Sequence, residues 1–265
     1  MKLWLNGAQV DSALARIDPS DRGYLLGDGV FETIAVRSGV PHYLPAHLDR
    51  LRDDCAVLRL AFPAFDFAAI IRDVMNANHL TDAVLRITIS RGAGARGILP
   101  TKNTIETVLV TASPMPPAPP PARCIIATVT RRNEFSPLSR VKSVNYLDSI
   151  LARQEALDRG GDEAILLNTV GRVAEATTSN IFIVRDGKVM TPPVSDGALP
   201  GIMRAEVLRM TKGVEHSLLL NDILGADEVF LTNSLGIRRV VEIEEQPSDK
   251  FSATFEQLLL GIKGK

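Results

Sequence analysis

Cysteine is nearly missing from this chain: Cys55 and Cys124 are the only two in 265 residues, and neither sits in a metal-ligand spacing. The expectation is two buried thiols in a reducing cytoplasm, with no disulfide framework and no metal centre. Charge imbalance is missing too. The 30 basic and 31 acidic side chains nearly cancel and no Lys/Arg block stands out, so a nucleic acid or an anionic membrane lacks electrostatic support and a small molecule is the expected partner. No stretch reaches the roughly 20 apolar residues that span a bilayer. Met1-Lys2-Leu3-Trp4-Leu5-Asn6-Gly7 starts like a strand entering an Asn-Gly turn, without the apolar core of a secretory signal. No internal repeat is present.

What remains is a globular composition, 45% hydrophobic, long enough for one large domain or two modest ones. The single biased tract is Ser113-Pro114-Met115-Pro116-Pro117-Ala118-Pro119-Pro120-Pro121. Repeated proline removes amide donors and favours extended geometry, so residues 113–121 read as a linker between domains at 1–112 and 122–265. A proline-rich surface loop inside one domain is the alternative.

Leu44, Leu48, Leu51, Cys55 and Leu58 recur at helical spacing, whereas 84–90 and 105–111 are β-rich, so the first half mixes helix and sheet. After the tract, 124–130 reads as a strand and Leu147, Ile150, Leu151 and Gln154 begin a helix that stops at Gly160-Gly161. Segments 163–167 and 171–176, then 180–184 and 188–191, flank short turns, which implies mainly antiparallel pairing.

Lys142 lies just before that helix. A lysine amine is a poor nucleophile while protonated, so a reactive one needs partial desolvation or a neighbouring cation; alone, Lys142 would read as a solvated surface residue. Glu175 stands in Arg172-Val173-Ala174-Glu175-Ala176, where burial would demand a cationic partner, a protonated pyridine nitrogen being one; the alternative is an outward-facing strand carboxylate. Leu199-Pro200-Gly201-Ile202-Met203-Arg204 leads into a helical stretch whose first amides make an anion site, or simply a helix start. Arg50, with Arg52 competing, could grip a phosphate bidentately. Gly92-Ala93-Gly94-Ala95-Arg96-Gly97 satisfies the dinucleotide pattern, but Ile98-Leu99-Pro100 cannot open the required helix and no acidic residue follows at the required distance. With Arg91 and Arg96, this loop suits a substrate carboxylate instead.

Taken together, Lys142-Ser143-Val144-Asn145-Tyr146-Leu147, Glu175-Ala176-Thr177-Thr178-Ser179-Asn180, Thr191 and Leu199 to Arg204 resemble the fold-type IV (class IV) pyridoxal phosphate enzymes. That group holds branched-chain aminotransferases, D-amino acid aminotransferases and aminodeoxychorismate lyases. The resemblance runs from Asp21-Arg22-Gly23-Tyr24 and Gly27-Asp28-Gly29-Val30-Phe31-Glu32 to Asp227-Glu228-Val229-Phe230. It implies a two-domain α+β fold, with an N-terminal α/β sandwich and a C-terminal α+β pseudo-barrel carrying the Schiff-base lysine. It also implies a homodimer, with the cofactor pyridoxal 5'-phosphate between the domains. By position, Lys142 would be that lysine and Glu175 the partner of the ring nitrogen. Arg50 would hold phosphate, Tyr146 the phenolic oxygen, and Leu199 the ring face, while Ile202, Met203 and Ser234 would complete the phosphate cup.

Two departures bear on substrate. Met203 stands where many aminotransferases of the group have threonine, and Gly-Ile-Met-Arg, Thr-Asn-Ser-Leu and Arg-Gly-x-Gly-x-Arg-Gly resemble the lyases. The carboxylate trap of the D-amino acid enzymes maps onto Phe31, Arg96 and Ile98, which have lost a hydroxyl and an imidazole, with Arg22 as a further carboxylate partner. The expected activity is transamination between an amino acid or amine of branched-chain type and an oxo acid. The alternative is pyruvate elimination from aminodeoxychorismate to give 4-aminobenzoate. A D-amino acid enzyme and a non-catalytic carrier of the cofactor stand further off.

Overall fold

The computed structural model describes residues 1–101, 104–248 and 254–263. The chain divides into two compact units, Met1–Pro117 with Val141–Asn145, and Ala118–Arg140 with Tyr146–Lys265.

The first unit is a six-stranded sheet whose core packs against two of its helices. Its strands are β1 (Lys2–Leu5), β2 (Ala8–Asp11), β3 (Gly29–Arg37), β4 (Val40–Pro41), β5 (Ala83–Ser90) and β6 (Thr107–Pro114), in the order β2-β1-β6-β5-β3-β4. Its helices are α1 (Arg22–Leu26), α2 (Leu44–Val57) and α3 (Phe67–Ala77). Alternation along β5 buries Ala83, Leu85, Ile87 and Ile89 against the core that includes Leu51 and Cys55 of α2 and Ile71 and Val74 of α3. β6 runs to Pro114, into the tract expected to be linker. Pro114 ends the strand, where a missing N–H costs no ladder bond, and β1 pairs with β6 only at Leu109 and Val110.

The second unit is built on β7 (Ala122–Ile126), β8 (Glu163–Leu167), β9 (Val173–Ala176), β10 (Asn180–Arg185), β11 (Lys188–Thr191), β12 (Val214–Glu215), β13 (Glu228–Asn233), β14 (Gly236–Ile243) and β15 (Gln246–Pro247). Its helices are α4 (Leu147–Asp158), α5 (Ile202–Thr211), α6 (Leu220–Leu224) and α7 (Thr254–Lys263). The order β12-β11-β10-β13-β14-β7-β8-β9 forms a curled half-barrel, with β15 on β14, and Ala176 N–H donates to Ser179 O in the turn from β9 to β10. Most pairs are antiparallel, as the short turns imply. The parallel pair β7 and β8 follows from the crossover through α4, whose Ala152 and Ala156 are small enough to pack against Ile125, Ala164 and Leu166. β7 stops earlier than expected because the Thr128 and Val129 amides turn away to the Glu155 carboxylate. No helix among the described residues is long and apolar enough to cross a membrane.

Lys142 was expected in the second domain, and it falls in the first unit. Val141 is buried in that unit's core, Val30 and Ser143 form a bridge, Phe31 N–H donates to Lys142 O (2.9 Å) and Val144 N–H to Gly29 O (3.0 Å). Residues 141–145 thus act as a short extra strand on the start of β3. Asn145 also closes on the left-handed Gly27, where any side chain would strike the Asn145 amide.

The turn into β3 is fixed by Asp28. Arg91 donates bidentately to its carboxylate (2.7 and 3.0 Å) and directs its remaining donors to the Leu58 and Arg59 carbonyls beyond α2. Burial alone would raise the Asp28 carboxyl, but hydrogen bonds from Arg91 and Arg22 outweigh it and hold it below its usual range. Its contribution is therefore present above the unfolded carboxylate value and lost as pH falls through the folded one. Arg91→Ala leaves Asp28 with Arg22 as its remaining guanidinium partner and strips the Leu58 and Arg59 carbonyls of their donor, and is expected to cost about 1–3 kcal/mol in urea unfolding at neutral pH. Wild-type stability of that variant would refute the brace.

Candidate functional site

In the first unit, Lys142 is half-buried with its Nζ 4.5 Å from the Phe31 ring centroid. Phe31 is 4% exposed, and the Arg86 guanidinium lies 3.6 Å from the same centroid, so two cations share one aromatic ring. Arg86 is an addition to the expected set. On β5 it alternates outward and reads in the sequence as an ordinary surface arginine; only the β3 and β5 pairing brings it to Phe31.

Arg50 and Arg52 are now separated. Arg52 is exposed, pairing with Asp49 (2.9 Å) and lying over Phe62 (4.8 Å). Arg50 is buried, with Nε and Nη2 donating to Glu32 at 2.7 and 2.8 Å, and His47 Nδ1 lies 2.7 Å from the same carboxylate. Burial alone would raise the Glu32 carboxyl, but the hydrogen bonds from His47 and Arg50 hold it below the usual range. The phosphate role expected of Arg50 thus falls on a guanidinium that already has one anion along its edge.

Arg22 is committed elsewhere than expected. Its Nε donates to Asp28 (2.9 Å), and Nη1 and Nη2 donate to the Gly97 and Ile98 carbonyls (both 2.7 Å). These acceptors make it a brace for the glycine loop, whereas Arg96, in that loop, is exposed. The loop joins antiparallel neighbours β5 and β6, whereas a dinucleotide loop opens a crossover helix. A cavity of about 520 Å³ lies between this loop and Leu25 and Leu26 of α1.

In the second unit, Glu175 is 8% exposed on β9. Its burial is compensated by Arg132, 3.0 Å from Oε1, a cation that no sequence spacing indicated. Its Oε2 accepts the Leu199 N–H at 2.9 Å, while Asn180 Nδ2 donates to Leu199 O at 2.8 Å. Leu199 is thereby held at both polar backbone groups. Asn180 is also what Gly201 must accommodate, because a Cβ at 201 would collide with Asn180 Oδ1. From Gly201, α5 starts without a side-chain cap, leaving the Ile202 and Met203 amides uncapped by Gly201. Asn180 pairs with Thr232 on β13, whose last residue Asn233 donates to Ser179 (3.1 Å). Ser234 follows in that turn, and Tyr146, half-buried, is the residue before α4.

These groups suit an anionic cofactor carrying a basic ring nitrogen: helix-start amides and a serine for a phosphate, and a buried carboxylate for a protonated nitrogen. The Thr232 hydroxyl, buried with no hydrogen-bond partner among the described residues, lies in the same strand end. No group of three or more His, Cys, Asp or Glu that could hold a metal occurs among the described residues.

Comparison with known proteins gives a consistent family. The sequence profile described as Amino-transferase class IV matches residues 29–243. A Methanocaldococcus jannaschii protein, provisionally named a branched-chain-amino-acid aminotransferase, is 39% identical over 88% of this chain and 84% of its own. The aminodeoxychorismate lyase of Vibrio harveyi is 29% identical over 98% of each chain. The crystal structure of the Escherichia coli branched-chain amino acid aminotransferase superposes with TM-score 0.93 at 26% identity, covering 99% of this chain and 93% of that one.

Gly201→Ala is expected to cost about 1–3 kcal/mol by driving Asn180 off Leu199. In a double-mutant cycle with Asn180→Ala, urea unfolding should show strong non-additivity, because the second change removes the obstacle. Additive losses would mean that Asn180 does not set the glycine requirement.

Proposed function

Because this chain belongs to the class IV aminotransferases, pyridoxal 5'-phosphate-dependent enzymes that act on amino and oxo acids, we propose that it transfers the amino group of a branched-chain-type amino acid through Lys142. The observation that carries this reading is the Lys142 amine and the Arg86 guanidinium over the one Phe31 ring. An amine beside an apolar surface and a carboxylate-matching fork is what an amino acid with an apolar side chain requires.

When bound, pyridoxal 5'-phosphate supplies an aldehyde that accepts the amino group and a ring that takes up electrons released at the α-carbon. Lys142 would hold the cofactor through its amine and, once the substrate's amino group has displaced it, would be the base that moves the α-proton. Glu175, oriented by Arg132 and the Leu199 amide, would keep the ring nitrogen protonated. The Ile202 and Met203 amides, Ser234 and Arg50 would hold the phosphate, Tyr146 would donate to the phenolic oxygen, and Leu199 would pack against the ring. Arg86 and Arg96 orient the substrate carboxylate, while Phe31 lines its side chain.

A second reading, pyruvate elimination from aminodeoxychorismate, is favoured by the buried methionine at 203 and by the arginine-flanked glycine loop. The same lysine and carboxylate would serve it. A homodimer belongs to either reading, supported by Tyr24, Leu25, Ile98 and Leu99, all large and exposed on the first unit.

Borohydride reduction of the loaded protein should fix the cofactor on Lys142, and Lys142→Ala should lower kcat by on the order of 10³-fold. Arg86→Leu should raise the amino donor's KM by about tenfold with a smaller effect on kcat. Label on another lysine would overturn the assignment. Pyruvate released from aminodeoxychorismate without an added oxo acid would replace transamination by the lyase reading.

A further inference from the structure

The inner face of α2 is polar where a core-facing helix is normally apolar. His47, Arg50 and Asp54, spaced three and four residues apart, are all buried alongside Leu51 and Cys55. His47 and Arg50 are explained by Glu32. Asp54, 4% exposed and one turn beyond Arg50, is not: its Oδ2 accepts the backbone N–H of Lys142 at 2.9 Å.

A carboxylate is a costly way to satisfy one amide. Burial disfavours its charge, and a neutral asparagine offers the same carbonyl acceptor without that penalty. The cost falls at a particular place. Phe31 N–H holds the Lys142 carbonyl, Asp54 holds the Lys142 N–H, and the Lys142 side chain lies over the Phe31 ring. Both polar backbone groups of the reactive lysine are therefore gripped, one from β3 and one from α2.

We propose that Asp54 is a positioning residue for Lys142, its buried carboxylate gripping the lysine's own amide so that the charge on Asp54 sets how firmly the amine is presented. This rests on Lys142 being the cofactor-bearing amine.

The charged groups facing Asp54 are Arg50 on its own helix, Glu32 on β3 and Lys142 on the segment packed across it. Burial pushes the Asp54 carboxyl up to about 6, opposed by the Lys142 amide and the Arg50 charge and assisted by Glu32. The folded value lies above the ordinary carboxylate value, so the folded state binds this proton more tightly than the unfolded chain. Its stabilising effect is complete below the unfolded value and is lost as pH rises through about 6. At neutral pH the ionised group thus works against the fold, while its charge strengthens the hydrogen bond to Lys142.

The test reads the Lys142 backbone amide by NMR in the cofactor-free protein and steady-state kinetics in the loaded one. The wild-type amide shift should titrate with a midpoint near 6, and Asp54→Asn should abolish that titration and remove the acid limb of kcat. Asp54→Ala should lower kcat by about 10- to 100-fold with little change in KM. A Lys142 amide that does not titrate between about pH 5 and 7, or Asp54→Ala with wild-type kcat, overturns the proposal. Should Asp54→Ala fail to fold, the Asp54→Asn amide titration and pH profile decide. Borohydride label on a different lysine would instead sink the underlying functional reading, leaving the amide titration unaffected.

Discussion

The constraint on which the chemistry proposed for the first unit depends is the anchoring of Lys142 by its backbone. A lysine side chain has several free torsions, so an amine that must meet a small molecule at a fixed point gains most from a fixed Cα. Residues 141–145 achieve this by joining β3 as an extra strand, with Val141 in the core and Asn145 closed on Gly27. The second unit treats Leu199 in the same manner: Glu175 accepts its N–H and Asn180 donates to its carbonyl. In both places a polar side chain from a regular element immobilises a residue of irregular backbone, satisfying buried groups that no ladder would reach.

Polar burial is the cost of that strategy. Glu32 is fully buried against Arg50 and His47, Glu175 is buried against the half-buried Arg132, and Asp28 lies between Arg22 and Arg91. Ion pairs of this kind add little net stability over an apolar replacement, yet breaking one partner is severe. They fit a molecule selected for defined geometry at a few atoms. The apolar residues that hold the units together, such as Leu85 and Ile87 in one and Phe182 and Phe230 in the other, carry the stability that this geometry consumes.

Regular elements were legible in the sequence because their signals are local: the leucine spacing of α2, the alternation of β5, the Asp186-Gly187 turn between β10 and β11. Lys142, Glu175 and the Gly201 helix start were legible as a motif. Their supports were not. Arg132 meets Glu175 from more than forty residues away, Asp54 reaches Lys142 from nearly ninety, and Arg86 gains Phe31 only through strand register. The family resemblance offers Arg22 as a further carboxylate partner, whereas its donors are turned onto Asp28 and two carbonyls. The proline tract does contain the division between the units, at Pro117 and Ala118, but β6 runs into its first residues because proline forbids the middle of a ladder and not its final residue.

Apart from Met203, the residues that would hold the cofactor do not separate the two reactions, because transamination and elimination both begin with the same lysine removing the same proton. What separates them is how long the product stays and which bond the substrate's orientation exposes, and both are set by the walls. The glycine loop, proposed as one such wall, is braced. Arg22 holds the glycine loop by its Gly97 and Ile98 carbonyls, with Asp28 fixing Arg22 and Arg91 fixing Asp28 to the end of α2. A loop held through its backbone leaves its side chains, Arg96 and Ile98 among them, free to vary without loosening it. Substitutions there change what the loop presents on a constant frame, and solved structures named for either activity, lyase or branched-chain aminotransferase, superpose on this fold.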